Sequence, residues 1–242
     1  MSHRIATLAT VPDREHLLDQ VIESLIPQVD RVYVYLNGHD ELPASLRRET
    51  VHVAWSKDHG DLGDAGKFFW AGRLPDNCYH FTCDDDLIYP DDYASTLADA
   101  IDYYGRQALI SVHGAILREP ITSYYKCRKV YPCLESLDAD HQADVLGTGV
   151  LAYHTDTIDL SIHDFPIADM TDIWLAVAAK HQHVPRIVIA HERGWLRYLP
   201  PPKGTTIYER YGATGDDSQQ TRVLVAESPW TLDTDLDVAR EK

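Results

Sequence analysis

The sequence has few of the features that mark secreted, membrane or nucleic-acid-binding proteins. Only four of its 242 residues are cysteines, and none shows the Cys-x-x-Cys spacing typical of zinc or redox sites. No apolar stretch approaches the ~18 residues that a membrane-spanning helix needs. The N-terminal segment also lacks the basic-then-apolar pattern of a signal peptide. These absences predict reduced thiols and a cytoplasmic protein.

Positive charge is scarce as well. The chain has 22 basic and 38 acidic residues, a formal net charge of −16. Because a phosphate backbone is bound by stripes of Lys and Arg, this balance argues against a nucleic-acid partner. Apolar residues make up 44% and charged residues 25% of the chain, which is close to the globular average and excludes wholesale disorder.

Apolar residues follow strand and helix periods in turn along the chain. Strands are predicted at residues 5–8, 32–36, 51–55, 78–83, 108–112, 145–153 and 186–190. Helices are predicted at residues 17–26, after Asp64 as an N-cap, at 93–104 and at 172–180. This alternation predicts an α/β fold, a mostly parallel sheet with helices on both faces. Periodicity fades near Gly194, so residues 1–198 are predicted to form one domain and residues 199–242 a C-terminal extension.

Three adjacent carboxylates, Asp84, Asp85 and Asp86, follow the buried strand 78–83. In an open α/β sheet ligands bind beyond the carboxyl ends of the strands, so this position is a candidate site. Extended geometry would put Asp84 and Asp86 on one side, roughly 6.6 Å apart, with Asp85 pointing away. Adjacent carboxylates suit Mg²⁺ or Mn²⁺, which prefer oxygen ligands. The alternative is an acidic turn that caps the helix after Pro90.

Three segments carry a resemblance to a known family, through their order and spacing. They are residues 9–14 (Ala-Thr-Val-Pro-Asp-Arg), 63–68 (Gly-Asp-Ala-Gly-Lys-Phe) and 81–90 (Phe-Thr-Cys-Asp-Asp-Asp-Leu-Ile-Tyr-Pro). Over roughly residues 4–198 the chain resembles GT-A fold nucleotide-diphospho-sugar glycosyltransferases, close to the family-2-like bacterial enzymes that build surface polysaccharides. The resemblance implies a Rossmann-like GT-A domain. It also implies a metal-dependent, inverting transfer of a sugar from a nucleotide-diphosphate donor to a saccharide or other hydroxyl acceptor.

The same resemblance implies roles for the residues at the donor side. Asp84 would contact the nucleotide ribose, Asp86 would coordinate Mn²⁺ or Mg²⁺ on the donor diphosphate, and Asp85 would support them. Thr10 and Arg14, in the loop after the first strand, would hold the base and ribose.

Three further residues are candidates with open alternatives. Asn37 stands where the family usually has an Asp near the base, so the base is left open. Lys67, predicted in the first turn of its helix, would bind a phosphate or a base carbonyl, or is an ordinary solvated lysine. His191, after the last predicted strand, would be a further metal ligand, or is a surface or packing residue.

The catalytic base is predicted at the start of the helix near residue 172. Asp172 occupies the position where the family places its base, with Thr171 where a second acid often stands. In inverting transfer the base takes the acceptor hydroxyl proton as that oxygen attacks the anomeric carbon. Asp169 is the competing candidate, and either residue could instead be a plain helix cap.

Two other functions stay open from the sequence. A sugar-phosphate nucleotidyltransferase would share the topology and the metal, but residues 9–14 lack the glycines of its usual first loop. A non-catalytic sugar-nucleotide-binding module is the other alternative. The donor sugar, the acceptor and the oligomeric state are not indicated. The basic and aromatic residues at 124–129 could hold an anionic acceptor or balance the acidic surface.

Overall fold

The computed structural model describes residues 2–232 of the chain. Within this range the β-strands are β1 His3–Thr10, β2 Arg31–Leu36, β3 Val51–Trp55, β4 Cys78–Cys83, β5 Leu87–Ile88, β6 Leu109–Ser111, β7 Gly114–Leu117, β8 Arg128–Tyr131, β9 His141–Gln142, β10 Val145–Leu146, β11 Val150–His154, β12 Arg186–Val188 and β13 Arg197–Tyr198. The α-helices are α1 Glu15–Leu25, α2 Ser56–His59, α3 Tyr93–Tyr103, α4 Thr171–His181, α5 Ile207–Thr214 and α6 Ser218–Ala226. The 3₁₀ helices are Pro12–Arg14, Ile26–Gln28, Ala44–Leu46, Gly63–Phe68 and Ile162–Asp164.

The largest sheet has the strand order β3-β2-β1-β4-β11-β6-β12-β9. Strands β1 to β4 run in one direction, and β6 pairs in parallel with β12. In this sheet β11 and β9 run opposite to their neighbours. The predicted α/β fold with a mostly parallel sheet is therefore confirmed. Two small antiparallel sheets, β10-β7-β8 and β13-β5, accompany it.

Neighbouring residues of the central strands pack into two different cores. Ile110 of β6 lies in a core with residues of α1 and α3, whereas Leu109 packs with residues of α4. Likewise, Ile187 of β12 lies in the core with residues of α1 and α3, and Val188 packs with residues of α4. Because successive side chains of a strand point to opposite faces, the two cores lie on opposite faces of the sheet. Helices therefore cover both faces, as predicted.

Helix α1 forms where the apolar spacing predicted it. Leu18, Val21, Ile22 and Leu25 recur every three or four residues and are fully or almost fully buried. This stripe faces the core on one side of the sheet, and each such side chain stabilises the fold by roughly 1.5–3 kcal/mol. Pro27 then lies in the 3₁₀ helix that ends the segment.

The chain after residue 198 contains two helices that the sequence pattern did not predict. Helix α5 buries no residue, so it lacks an apolar stripe, although Thr206 and Glu209 form a capping box at its start. Leu224 of α6 and the later Trp230 are buried against Ile173 of α4. The division at residue 198 stays a prediction, and residues 233–242 of the predicted extension lie outside the described residues.

Two predicted elements differ from the structure. The strand predicted at 145–153 is broken into β10 and β11 by Gly147-Thr148-Gly149. Gly149 lies so close to the Asp84 carboxylate that a Cβ at this position would collide with it. The helix predicted after Asp64 is the six-residue 3₁₀ helix Gly63–Phe68. All four cysteines lie in the described range and are free thiols, as predicted.

Candidate active site

The carboxyl ends of three parallel strands meet at one edge of the sheet. Leu8 of β1 pairs with Val34 of β2 on one side and with Cys83 of β4 on the other. This register brings the residues that follow these strands close together. A cleft at that edge is lined by Thr10, Arg14, Asn37, Lys67, Asp84, Asp85 and Asp86, and has a volume of about 280 Å³. The structure therefore gathers all the residues predicted for the donor side except His191.

The three carboxylates of the triplet all reach this cleft, which corrects the prediction that Asp85 points away. Arg14 Nη1 donates to Asp85 Oδ1 at 2.7 Å and to Asp86 Oδ2 at 3.3 Å, while Asp84 pairs with Lys67. The reason is that β4 ends at Cys83 and the chain turns at Asp85, so the alternation of a strand no longer applies.

Burial and crowding make the triplet electrostatically strained. Burial raises the pKa of Asp86 to about 7, and the charges of Asp84 and Asp85 act in the same direction, against those of Arg14 and Lys67. Burial also raises the pKa of Asp85, although the Arg14 guanidinium opposes it. Additional positive charge at this cleft would therefore favour the ionised carboxylates.

Lys67 is buried, and it is not the solvated lysine of the alternative interpretation. Burial lowers its pKa, but the charges of Asp84 and Asp64 and the hydrogen bond to Asp84 outweigh burial, so the net pKa is raised. Lys67 lies in the last turn of the 3₁₀ helix, not in the first turn as predicted. It therefore brings a cation to the cleft without the help of a helix N-terminus.

Asp64 and Asn37 hold the segments around the cleft. The Asp64 carboxylate accepts hydrogen bonds from the backbone N–H groups of Asp169 (2.7 Å) and Thr171 (3.3 Å), so it caps the start of α4 rather than its own helix. The Asn37 amide donates to Gly63 O at 2.8 Å and accepts from Leu62 N–H. Both side chains are thus engaged with backbone far away in sequence.

A second, larger cavity of about 530 Å³ adjoins the first cleft and contains Asp172. The two cavities share Lys67 and Asp84, together with Asp64, Asp169 and Ile207. The Asp172 Oδ1 atom accepts hydrogen bonds from the Thr148 N–H at 2.8 Å and from the Thr148 hydroxyl at 2.7 Å. Burial raises the pKa of Asp172, and the two bonds from Thr148 oppose that rise.

Asp169, the competing candidate base, lines both cavities but is engaged in an ion pair. Its carboxylate forms an ion pair with Arg210 of α5 at 2.8 Å, and its backbone has a positive φ of 63°. Helix α5 is also fastened from the other side, because Arg14 donates to the backbone oxygen of Thr205 just before the helix. Asp169 is thus paired with a cation of another helix, whereas Asp172 is held by Thr148. Which of the two is the base stays a prediction.

His191 lies apart from the cleft. Its Nδ1 is 2.8 Å from Ile189 O and its Nε2 is 3.4 Å from Pro132 O, so backbone oxygens surround the buried ring. His191 lines neither of the two cavities described above. Its predicted role as a metal ligand stays a prediction, and its geometry favours the packing alternative.

Several residues of the cavities were not predicted from the sequence. Thr148 orients Asp172, His113 lines the larger cavity, and Arg210 reaches the cleft from α5. Burial lowers the pKa of His113 to about 4, with a further contribution from the Arg128 charge, so the ring is neutral at pH 7. In the sequence, two features could have indicated these residues: the glycines on either side of Thr148, and the capping box that precedes Arg210.

Residues 2–232 contain no group of three or more His, Cys, Asp or Glu side chains that is arranged to hold a metal ion by itself. The chemistry of the cleft nevertheless suits a divalent cation, because its carboxylates supply oxygen ligands and its charge balance is negative. A cation here would need further oxygen ligands from a bound substrate. In the same range, no helix is both long and apolar enough to cross a membrane.

Together the fold and the site define an α/β protein with a two-part acidic cleft at the carboxyl edge of its parallel strands. No family model matches the chain, and no curated protein matches it by sequence. Nucleotide-sugar glycosyltransferases, the class that the sequence motifs resemble, and a nucleotidyl transferase are among the solved structures similar to it.

Three of these structures illustrate the range. Glucosyl-3-phosphoglycerate synthase from Mycobacterium tuberculosis, solved with Mn²⁺, UDP and glucosyl-3-phosphoglycerate, is 16% identical over 46% of this chain and 43% of that chain, with a TM-score of 0.38. TarS residues 1–349 from S. aureus are 14% identical over 64% and 47%, with a TM-score of 0.41. A nucleotidyl transferase from Methanothermobacter thermautotroptrophicus is 11% identical over 94% and 100%, with a TM-score of 0.49. The chain thus spans less than half of the M. tuberculosis synthase, and these similarities carry no argument about its activity.

Proposed function

We propose that this protein is a metal-dependent, inverting glycosyltransferase that moves a sugar from a nucleotide-diphosphate donor to an acceptor hydroxyl. The observation that carries the proposal is the pair of cavities that share Lys67 and Asp84. One cavity holds the acidic triplet and the other holds a fixed carboxylate, Asp172. Two substrates bound in adjoining cavities would meet at that shared wall.

The smaller cleft would bind the donor. Thr10, Arg14 and Asn37 line it at the ends of β1 and β2, on the side suited to a nucleoside. A carboxylate and a diphosphate oxygen ~4 Å apart repel by roughly 4 kcal/mol at an effective dielectric constant of 20, so the donor needs compensating charge. Asp86, with support from Asp84 and Asp85, would hold Mn²⁺ or Mg²⁺, which when bound neutralises the leaving diphosphate.

Asp172 would act as the general base in the larger cavity. Thr148 holds one carboxylate oxygen through two hydrogen bonds, which leaves the other to accept the proton of an acceptor hydroxyl. As the proton moves to Asp172, the acceptor oxygen bonds to the anomeric carbon and the bond to the nucleoside diphosphate breaks. The buried cation of Lys67 stabilises negative charge at the shared wall throughout.

The test is a donor panel. UDP-, GDP-, CMP- and TDP-sugars are titrated with and without Mn²⁺, and thermal stability and nucleotide release are measured. A donor at a hundredfold excess over its dissociation constant stabilises the fold by about 2.7 kcal/mol. D86A is expected to lose the metal-dependent part of that shift, whereas D172N keeps donor binding and loses turnover. D99N, which removes an exposed carboxylate of α3, is the matched control and keeps both.

Other outcomes identify the alternatives. Pyrophosphate release from a nucleoside triphosphate and a sugar 1-phosphate would indicate a nucleotidyltransferase. Donor binding without turnover in the wild type and in D172N would indicate a binding module. Product with the donor's anomeric configuration would reject the inverting mechanism. We also propose that the protein acts in the cytoplasm.

A further inference from the structure

The larger cavity contains a cation with an unusual environment. Arg128, the first residue of β8, lines this cavity together with Tyr124 and Tyr125. The guanidinium carbon lies 4.3 Å from the ring centroid of Tyr124 and 4.6 Å from that of Tyr125. Two aromatic rings therefore fix the position of the guanidinium through cation–π contacts.

Arg128 differs from the other cations around the two cavities because it has no carboxylate partner in the described part of the chain. Lys67 pairs with Asp84, Arg14 with Asp85, and Arg210 with Asp169. No such ion pair involves Arg128 within residues 2–232, and its buried Nε has no hydrogen-bond partner there. Given 38 acidic residues in the chain, a partner could readily have been supplied from within.

A buried guanidinium N–H without a hydrogen-bond partner is destabilising, and a ligand that accepts from it would remove that penalty. The planar guanidinium matches the two oxygens of a carboxylate or a phosphate group, so such a group is the complementary ligand. Asp172 lines the same cavity, so an anion held on Arg128 would keep the rest of its molecule near the base. Tyr208 of α5 forms another part of the cavity wall. Its side chain is largely exposed, so a ligand in the cavity can stack on its ring.

We infer that the acceptor is an anionic hydroxyl compound whose carboxylate or phosphate group is bound by Arg128, with its hydroxyl presented to Asp172. This inference rests on the proposed transfer function, and it adds the chemical class of the acceptor. A neutral acceptor would leave the positive charge of Arg128 without a counter-charge, so an anionic acceptor is favoured.

The experiment uses three probes built on one ring: glucose, glucuronate and glucose 6-phosphate. Their binding to the full-length protein is measured by calorimetry with UDP and Mn²⁺ present. We expect at least one charged ring to bind tenfold or more tightly than glucose, and the better of the two identifies the preferred anion. In R128Q this advantage is lost, and in R128K it is partly retained because the charge remains without the planar fork. K126Q removes an exposed charge two residues away, outside the cavity, and is expected to change nothing.

Binding of UDP is measured separately for each variant. A failure of the acceptor assignment can then be distinguished from a failure of the proposed transfer function. UDP affinity within twofold of wild type in R128Q supports the assignment to the acceptor side. Equal loss of UDP and charged-ring binding would overturn it, because Arg128 would then hold the donor. Equal binding of neutral and charged rings would also overturn it, while leaving the transfer function intact. If the wild type binds no nucleotide, the transfer function fails, and the anion site is then judged on the charged rings alone.

Discussion

Burial raises the pKa of Asp172 and the two hydrogen bonds from Thr148 oppose that rise, so removing one of these bonds should raise the pKa further. T148V keeps the backbone N–H bond and nearly the same volume but removes the hydroxyl, which donates to Asp172 Oδ1 at 2.7 Å. A hydrogen bond to a charged group is worth about 1.5–3 kcal/mol, and about 1.4 kcal/mol corresponds to one pKa unit. Because the hydroxyl favours the ionised form, its loss is expected to raise the pKa of Asp172 by at least ~1 unit.

The measurement is a carbon-detected NMR titration of the aspartate carboxyls, with D172N to assign the resonance. If transfer activity is established, the acidic limb of its pH profile should move to higher pH by the same amount. T148S retains a hydroxyl and serves as the control that should leave the pKa near its wild-type value. An unchanged Asp172 titration in T148V would refute the reasoning, because the hydroxyl would then contribute nothing to the ionised state.

Three further predictions concern the fold and the cleft. Burial lowers the pKa of His80 to about 3, below the unfolded value near 6.5, so the unfolded chain binds more protons between these pH values and stability falls as the pH drops. H80Q should flatten this dependence by about 1.2 kcal/mol per pH unit on average in urea unfolding from pH 6.5 to 4.5. G149A should displace the Asp84 carboxylate and weaken nucleotide binding tenfold or more in calorimetry, whereas G212A, where a Cβ meets no atom within 4 Å, should not. L224A should cost about 2–5 kcal/mol of unfolding free energy in chemical denaturation, and a loss below 1 kcal/mol would mean that α6 contributes little to the core.

The sequence allowed the main secondary structure to be predicted because its signals are local. The apolar spacing of residues 17–25 and the buried run 78–83 correspond to α1 and β4. The alternation of such strand and helix segments predicted the parallel sheet. The acidic triplet was expected at the end of β4 because it directly follows the apolar run in the sequence. Helix α5 was missed because it buries no residue and so has no apolar stripe.

The positions of individual side chains at the cleft required long-range contacts. Asp64 bonds to the backbone of Asp169 across 105 residues, and Arg14 bonds to Asp85 across 71 residues. No local pattern encodes such pairs, because each depends on which strand ends the sheet brings together. The prediction that Asp85 points away was wrong because β4 ends at Cys83 and the chain turns at Asp85, where its carboxylate accepts a hydrogen bond from Arg14.

By itself, the sequence determined which residue types stand at the ends of the strands, and with them the negative charge and the chemical character of the cleft. The tertiary structure alone decided which cations and carboxylates of the two cavities pair with each other. Local periodicity determines how a segment folds, since each helix or strand must bury its own apolar face. The partner of a charged group depends instead on the packing of distant segments, which left Asp172 on Thr148 and Arg128 between two tyrosines without a carboxylate partner within residues 2–232.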